Sequence, residues 1–559
     1  MSEAIAIRSK NSGGTVGSTS VPLVAVLTAI GITLAAAAIL LVMKHVPIGH
    51  YAGDFVAILD GGYRIAQGQW PHRDFSVPHG AWPLVQGWIS LKLAALFAPF
   101  LTYQLTQWLT AVLPALYLAS RQRNAWRALL VLGIVAVATL FPFLFGNASA
   151  SDFDYYGGYN RLTTALLFLT FVWGVTPLRR NWAGASVIAY LLFAMLATKV
   201  TGFVVGFCAV GFFAILSPVK RSLALRAALL LLSVIVALEI TTHLPSAYVH
   251  DIRAMAALNK GGIAYAALSV ILKSLPGLLA LGVLAVLVAP HIGYGSKAVL
   301  ARPLVLLRSW RAPLLVVIIG LGTLASESQD TGGLLLIAAT ALLLAPLPLA
   351  RSSAAGINAA KVALAFAILG PWLGGIIYSA TWIAVRDAPQ ATIDPAVARL
   401  LPGTVVTRET IAVAGDLNRI SRGPNPPQAF FAAAPILNEA AFVDLAQSVD
   451  AAADAARQHG FVNSATRVMT VASLDYFARR LDARSPVGIN LWQQTGRTFG
   501  TPSPADMRHY LRNVDAAFMR RCNADKSYSD LNQLFRPALQ ADFSEHDLTP
   551  CWEIWTRIR

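Results

Sequence analysis

Residues 53–80, GDFVAILDGGYRIAQGQWPHRDFSVPHG, hold a dense group of side chains that could do acid–base or anion chemistry. The group comprises Asp54, Asp60, Arg64, His72, Arg73, Asp74 and His79. A carboxylate can take a proton from a hydroxyl group, and nearby cations can stabilise a leaving anion. By residue type, Asp54 could accept a proton, and Arg73, Asp74 and His79 could contact a polar substrate.

A second polar stretch, NASASDFDYYGGYNR at residues 147–161, contains the pair Asp152 and Asp154. Such a D-x-D pair can hold a divalent cation, Mg²⁺ or Mn²⁺, through oxygen ligands, although so short a pattern also arises by chance. Tyr159 is a candidate for stacking on a sugar ring or for anchoring at a membrane interface. Arg161 and Lys199 are cations that could bind a phosphate, and snorkelling to lipid headgroups is the ordinary role of Lys199.

Each residue of the first stretch also has a plain structural explanation. An aspartate at the start of a helix is a common N-cap, which would account for Asp54. Asp60 reads as a solvated surface acid, and Arg73 with Asp74 reads as a local ion pair. His72 and His79 read as polar surface residues, because no spacing of metal ligands accompanies them.

The composition places these residues in a membrane protein. Only 13% of the 559 residues are charged and 56% are hydrophobic, with a mean hydropathy of +0.58. Soluble domains have about 25% charged residues. The net charge of +16 lies mostly in short loops between apolar runs, as expected for membrane topology. No basic–aromatic module for nucleic acid is present, so a nucleic-acid partner is not expected.

The charge pattern predicts about eleven membrane spans, with the N-terminus inside and the C-terminus outside. If the stretch 81–100 also spanned, every later loop would change sides. Treating it as interfacial or re-entrant puts the loops rich in Lys and Arg on one side and most loop acids on the other. The predicted spans are 22–43, 104–120, 127–146, 161–177, 183–198, 200–216, 223–242, 263–289, 312–325, 332–350 and 362–385.

The fold class is therefore mainly α, a polytopic bundle with a cytoplasmic tail at 1–21 and a transmembrane domain at 22–385. The first outer loop covers 44–103 and the second covers 147–160. Within the first loop, Phe55, Leu59, Tyr63 and Ala66 recur at helical spacing. That apolar face predicts an interfacial helix lying on the membrane surface.

Residues 386–559 are predicted to form a soluble α/β domain on the outer side. The patches 468–474 and 486–492 read as buried strands, and 439–458 and 504–521 read as amphipathic helices. Cys522 and Cys551 both lie in this region and could form a disulfide if the compartment is oxidising.

The layout resembles the GT-C superfamily of polyprenyl-phosphate-sugar-dependent membrane glycosyltransferases. The resemblance rests on an early Asp54, on Gly68 to Phe75 (GQWPHRDF), on His79-Gly80, and on Asp152 and Asp154 in the second loop. In detail it covers residues 22–161; beyond that, only the helix count, the outer C-terminal domain and the chain ending agree. Many members have an acidic pair early in the first loop, whereas here Phe55 follows Asp54.

The resemblance implies an inverting transfer of a sugar from a polyprenyl-phosphate donor to an acceptor. Asp54 would be the general base, and Arg161 and Lys199 would hold the lipid phosphate. The enzyme would lie in a bacterial cytoplasmic membrane among its lipids, with the site and the C-terminal domain on the periplasmic side. The acceptor, a glycan, a lipid or a protein, is left open.

Two other functions remain open at this point. A transporter or flippase would place polar groups at mid-membrane and show repeat symmetry, and no internal repeat is evident. A polymerase or ligase of surface polysaccharide would use larger lipid-linked donors with similar residues.

Overall fold

A computed structural model describes residues 20–49, 52–141, 155, 158–258, 381, 388–421, 435–522 and 526–558. Asp152 and Asp154 lie outside the described residues. So do the four predicted spans between 263 and 385, apart from Thr381.

Long apolar helices form wherever a span was predicted before residue 243. Their bounds are α1 Ser20–Val42, α4 Pro99–Ser120, α5 Ala125–Leu140, α6 Gly158–Val175, α7 Trp182–Thr198, α8 Val200–Leu216 and α9 Pro218–Thr242. They pack around a shared apolar core that includes Trp108 and Trp173, both fully buried. A further helix, α10, follows at Leu244–Leu258.

Two of these helices, Val21–Val42 and Pro218–Thr242, are long and apolar enough to cross a membrane. Their large apolar side chains are largely exposed, for example Leu34 at 64% and Leu229 at 62%. Helices that are apolar on all sides belong in a core or in lipid, so this exposure is typical of lipid-facing surface. Three shorter apolar helices accompany them, at 125–140, 182–198 and 200–216. The full number of spans stays a prediction.

The loop between α1 and α4 contains β1 (Val46–Pro47), α2 (Ala52–Ala66) and α3 (Trp82–Lys92). At 1.5 Å per residue the 11-residue α3 is about 16 Å long, well short of the roughly 30 Å hydrocarbon core of a bilayer. This length agrees with a stretch that does not span.

Glycines bring α2 and α3 into close contact. A side chain at Gly62 would meet the backbone of Trp88, and one at Gly61 would lie 2.5 Å from Leu84. Phe55 and Leu59 are buried inside the protein. The prediction that this face of α2 lies on the membrane surface is therefore wrong, because protein covers it.

The C-terminal region, residues 388–558, combines helices with two small sheets. Its strands are β2 Ala391–Thr392, β3 Thr404–Thr407, β4 Val468–Val471, β5 Ala516–Arg520, β6 Phe543–Thr549 and β7 Trp552–Arg557. Its helices are α11 Pro395–Leu400, α12 Arg408–Ser421, α13 Pro435–Gln458, α14 Phe477–Arg480, α15 Pro504–Leu511 and α16 Lys526–Asp542. The larger sheet has the order β4-β5-β7-β6, with β4 and β5 parallel and the other pairs antiparallel. Cys522 and Cys551 form the suggested disulfide, with Cα atoms 4.7 Å apart.

Two predictions about this region are wrong. The segment 504–521 is not one helix, because α15 ends at Leu511 and residues 516–520 form the buried strand β5. The patch 486–492 is not a strand of the sheet. Instead its backbone bonds to the first loop, since Gly488 N–H donates to Asp74 O at 2.7 Å and Leu491 N–H donates to Ser76 O at 2.9 Å.

The first loop and the C-terminal region share one hydrophobic core. Phe55, Leu59 and Phe75 belong to the same cluster as Phe477 and Phe518. In addition β1 pairs in parallel with β3, Val46 opposite Thr404. The predicted domain boundary at residue 386 therefore does not separate two hydrophobic cores, because residues of the first loop belong to the core of the C-terminal region.

A buried ion cluster crosses this contact. Arg64 is fully buried and donates to Asp60 at 3.0 Å and to Asp475 at 3.4 Å. Asp60 is 2% exposed, so its prediction as a solvated surface acid is wrong. Buried charges need such partners, since an unpaired one is very costly.

One end of the helix bundle gathers the first loop, the α7–α8 junction and α10. Gly80 N–H donates to Thr198 O at 3.0 Å. His72 Nδ1 lies 2.8 Å from Asp251 Oδ2 on α10, and Ser76 Oγ donates to the same carboxylate at 2.8 Å. His72 is thus buried and paired, so its prediction as a surface residue is wrong. We call this end the site end.

Candidate active site

The first turn of α6, residues 158–161, is the hub of the site end. Tyr159 interacts electrostatically with Asp54 and Tyr103. Its ring lies 5.0 Å from the ring of His79 and 6.0 Å from Lys199 Nζ. Four segments that are distant in sequence therefore meet at this turn.

Asp54 lies in the first turn of α2, as the third residue of the helix rather than at its N-cap. Its Oδ2 atom is buried and has no hydrogen-bond partner among the described residues. Burial raises the pKa of the Asp54 carboxyl to about 7, and the charge of Arg497 opposes that rise. The N-cap explanation fails, and what remains is a carboxylate that titrates near neutral pH with a free oxygen.

His79 is held against the α7–α8 junction by its neighbour. A side chain at Gly80 would collide with the carbonyl of Ala197, so only glycine allows this approach. His79 is 2% exposed, its Nδ1 lies 2.9 Å from Gly80 O, and its Nε2 has no partner in the described part of the chain. Burial lowers the pKa of His79 to about 4, helped by His72 and Lys199. The imidazole is therefore neutral at physiological pH, and it is a buried residue rather than the surface residue expected.

Two cations flank the hub turn. Lys199 is the single non-helical residue between α7 and α8, and its Nζ donates to Asn160 Oδ1 at 2.7 Å. Arg161 is 5% exposed, and one guanidinium nitrogen donates to Phe141 O at 3.3 Å. In the amide orientation that satisfies both ends of Gln104, that side chain accepts from Arg161 Nη2 at 2.8 Å. A buried arginine and a lysine at a helix N-terminus form a favourable setting for a phosphate.

Tyr103 and Gln107, on α4, complete the wall beside Asp54, and the sequence analysis missed them. They are 2% and 0% exposed. Tyr103 interacts with Gln107, but neither the Tyr103 hydroxyl nor Gln107 Nε2 makes a hydrogen bond of good geometry within the described ranges. A side chain at Gly158 would sit 2.6 Å from Tyr103 Cε1 and 2.8 Å from Gln107 Nε2. For Gln107 the available signal was a polar residue inside the predicted span 104–120, where polar residues are costly and often functional.

The remaining candidates lie elsewhere. Arg73 and Asp74 form the expected local ion pair at 2.9 Å, and Asp74 also accepts from Trp70 N–H at 2.7 Å. This pair lies in a turn where the Arg73 side chain is 44% exposed, and neither residue contacts the first turn of α6 in the described part of the chain. Arg497, from the C-terminal region, does act on Asp54 electrostatically, and nothing in the sequence pointed to it.

No metal cluster is found in the described ranges, where no group of three or more His, Cys, Asp or Glu side chains could hold an ion. The metal prediction for Asp152 and Asp154 falls on residues that the structure does not describe.

Two solved structures are similar to this chain along most of its length. ArnT from Cupriavidus metallidurans in the apo state is 14% identical, with 96% of this chain and 97% of that chain covered and a TM-score of 0.35. The same protein bound to undecaprenyl phosphate is 16% identical, with coverages of 96% and 98% and a TM-score of 0.42. This likeness is distant. No family model and no curated protein matches the chain.

Proposed function

We propose that the protein is a membrane glycosyltransferase that moves a sugar from a polyprenyl-phosphate donor to an acceptor hydroxyl, with inversion and with Asp54 as general base. The observation that carries the proposal is the buried Asp54 Oδ2 atom, which has no hydrogen-bond partner among the described residues and lies near the turn of α6 that contains Arg161 and faces Lys199.

The first requirement of such a transfer is a base for the acceptor hydroxyl. A general base works best when its pKa lies near the operating pH. An ordinary aspartate, with a pKa near 4, is a weak base. Burial raises the pKa of Asp54 to about 7, and among the described residues its Oδ2 has no hydrogen bond to give up when it accepts the proton.

The second requirement is stabilisation of the departing lipid phosphate. Lys199 and Arg161 place two positive charges around the first turn of α6, where the helix dipole also favours an anion. A phosphate is a good leaving group, so no strong general acid is needed. In this proposal Lys199 and Arg161 stabilise the leaving phosphate, and Asp54 activates the acceptor hydroxyl.

The donor class comes from the motif resemblance in residues 22–161 and from the lipid-facing helices. A lipid donor would reach the site from the bilayer, and the proposed location is the bacterial cytoplasmic membrane. Arg121 and Arg179 lie in the connections at the end of the bundle away from the site, and Arg226, within α9, donates to Arg180 O there. By the positive-inside rule this end is the cytoplasmic side. The site end and the C-terminal region are then periplasmic, where the Cys522–Cys551 disulfide would persist.

A transfer of larger lipid-linked glycans by a polymerase or ligase would use the same base and cations. Assays with donors of one and of several sugar units separate these alternatives. Repeating the assay with EDTA tests the cation at Asp152 and Asp154, because an unchanged rate rules out a metal requirement.

The direct test of the proposal is Asp54→Asn in purified full-length protein, assayed with a panel of undecaprenyl-phosphate sugars and membrane-extracted acceptors. We expect turnover to fall at least about 1,000-fold, because the amide cannot take the proton. The thermal midpoint should stay the same or rise at pH 8, since a buried carboxylate without a partner is costly.

Asp542→Asn, at the end of α16 in the C-terminal region, is the matched control and should keep wild-type turnover. Full turnover of Asp54→Asn would exclude Asp54 as the base. A wild-type protein that transfers sugar from none of these donors would overturn the proposed function itself.

A further inference from the structure

Three buried side chains around the first turn of α6 lack hydrogen-bond partners of good geometry among the described residues: His79 Nε2, Tyr103 OH and Gln107 Nε2. Each residue is at most 2% exposed. More than nine-tenths of buried polar groups in folded proteins have a partner, so several orphaned atoms in one place call for an explanation.

The hydrogen-bonding character of each atom follows from its surroundings. A carbonyl oxygen only accepts, so His79 Nδ1 must donate to Gly80 O. The ring is neutral, which leaves Nε2 as an acceptor. The amide nitrogen of Gln107 only donates, and the Tyr103 hydroxyl both donates and accepts.

This combination favours a ligand that both donates and accepts hydrogen bonds. A carboxylate or a fully ionised phosphate would accept from Gln107 but could not donate to His79. A hydrocarbon tail could do neither. A hydroxyl group both donates and accepts, and a sugar presents several hydroxyls a few ångströms apart.

We propose that His79, Tyr103 and Gln107 bind hydroxyl groups of the sugar on the lipid donor and thereby select which sugar is transferred. We call these three residues the hydroxyl wall. The inference rests on the proposed function and deepens it by assigning the sugar to a different surface from the phosphate.

Contacts connect the hydroxyl wall with the rest of the site. The Tyr103 ring lies 5.5 Å from Phe55, the residue after Asp54. The His79 ring lies against Tyr159, which also faces Lys199. Gly158 lets the first turn of α6 pack closely against Tyr103 and Gln107, because a larger side chain there would collide with both. A sugar here would have the base on one side and the phosphate cations on another.

The test compares full-length wild type with Gln107→Met, His79→Phe and His79→Gln in lipid nanodiscs. The donors are undecaprenyl-phosphate sugars together with every single-deoxy analogue of the sugar that wild type prefers. Wild type should discriminate against at least one analogue by about 100-fold in kcat/KM, because a site that hydrogen-bonds a hydroxyl rejects a ligand lacking it.

Gln107→Met should lower kcat/KM for the full sugar by about 10-fold or more and remove the discrimination at one hydroxyl. His79→Phe should do the same at a different hydroxyl. His79→Gln can present an oxygen acceptor near the position of Nε2 and should stay within about 3-fold of wild type. The affinity for undecaprenyl phosphate without a sugar should be unchanged in all three variants.

Gln122→Met is the matched control, because Gln122 follows the other end of the same helix and bonds to Leu118 O at 2.9 Å and Thr176 Oγ1 at 3.0 Å. It should keep the wild-type discrimination. An active enzyme in which Gln107→Met and His79→Phe keep full discrimination, or in which they weaken binding of the sugar-free lipid equally, overturns this inference alone. A wild type inactive with every donor overturns the proposed function, and the inference with it.

Discussion

The two ends of the helix bundle use the same kinds of polar residue in opposite ways. At the end away from the site, Lys220 donates to the carbonyls of Trp173 and Thr176, the latter at 2.8 Å, and lies over the Trp173 ring. These carbonyls belong to the last turn of α6, where no helical partner remains for them. Lys220 therefore caps α6, and Gln122 is similarly engaged with Leu118 and Thr176.

At the site end, a lysine, a glutamine and a tyrosine surround the first turn of the same helix, yet buried atoms of Asp54, His79, Tyr103 and Gln107 have no hydrogen-bond partner in the part of the chain that the structure describes. An unmet buried group destabilises a fold by about 1–3 kcal/mol. The difference teaches that polar side chains cap α6 at its C-terminal end, whereas at its N-terminal end a ligand of the proposed kind would supply the missing bonds.

The largest difference between the two ends is expected when the lysine of each end is replaced. Lys199→Met should lower kcat by at least about 100-fold, because it removes a charge from the leaving phosphate, and should change the thermal midpoint little. Lys220→Met should instead lower the thermal midpoint, because two carbonyls of α6 lose their donor, while turnover per folded molecule stays near wild type. Steady-state kinetics and thermal unfolding of both variants measure this, and similar profiles would show that the ends do not differ.

A smaller effect should separate glycines at the two ends. Gly158→Ala would push against Tyr103 and Gln107 and should lower kcat/KM by about 10-fold, because it displaces these two side chains. Gly184→Ala, near the opposite end, would meet Asn181 Oδ1 at 3.2 Å and Leu223 at 3.5 Å, so only a small change in stability is expected. Equal activity losses in both variants would mean that Gly158 acts through helix packing alone.

The sequence predicted the helices well because their signal is local. Apolar runs placed α1 and α4 to α9, and loop charges identified residues 81–100 as a stretch that does not span, in agreement with the short α3. Prediction failed where contacts between distant segments decide the structure. Residues 516–520, AAFMR, suit a helix by propensity, yet they form a central strand because β4 and β7 pair with it.

The candidate site shows the same limit. Asp54, His79, Tyr159, Arg161 and Lys199 were chosen from residue type and position, and the structure brings all five together. Arg497 could not have been chosen, because it approaches Asp54 only after the C-terminal region packs on the first loop. The predictions for Asp60 and His72 failed for the same reason. Asp60 is linked through Arg64 to Asp475, and His72 is paired with Asp251.

The pH dependence of kcat/KM tests the central claim about Asp54 most directly. Burial raises the pKa of Asp54 to about 7, so the basic form is scarce below that pH and predominates above it. His79, with its pKa lowered to about 4, stays neutral across this range and adds no second limb. Between pH 5.5 and 8.5 we predict a single rising limb with a midpoint near 7 in wild type, and its loss, together with nearly all activity, in Asp54→Asn. A flat wild-type profile, or a rising limb that survives in Asp54→Asn, would contradict the assignment of Asp54 as the base.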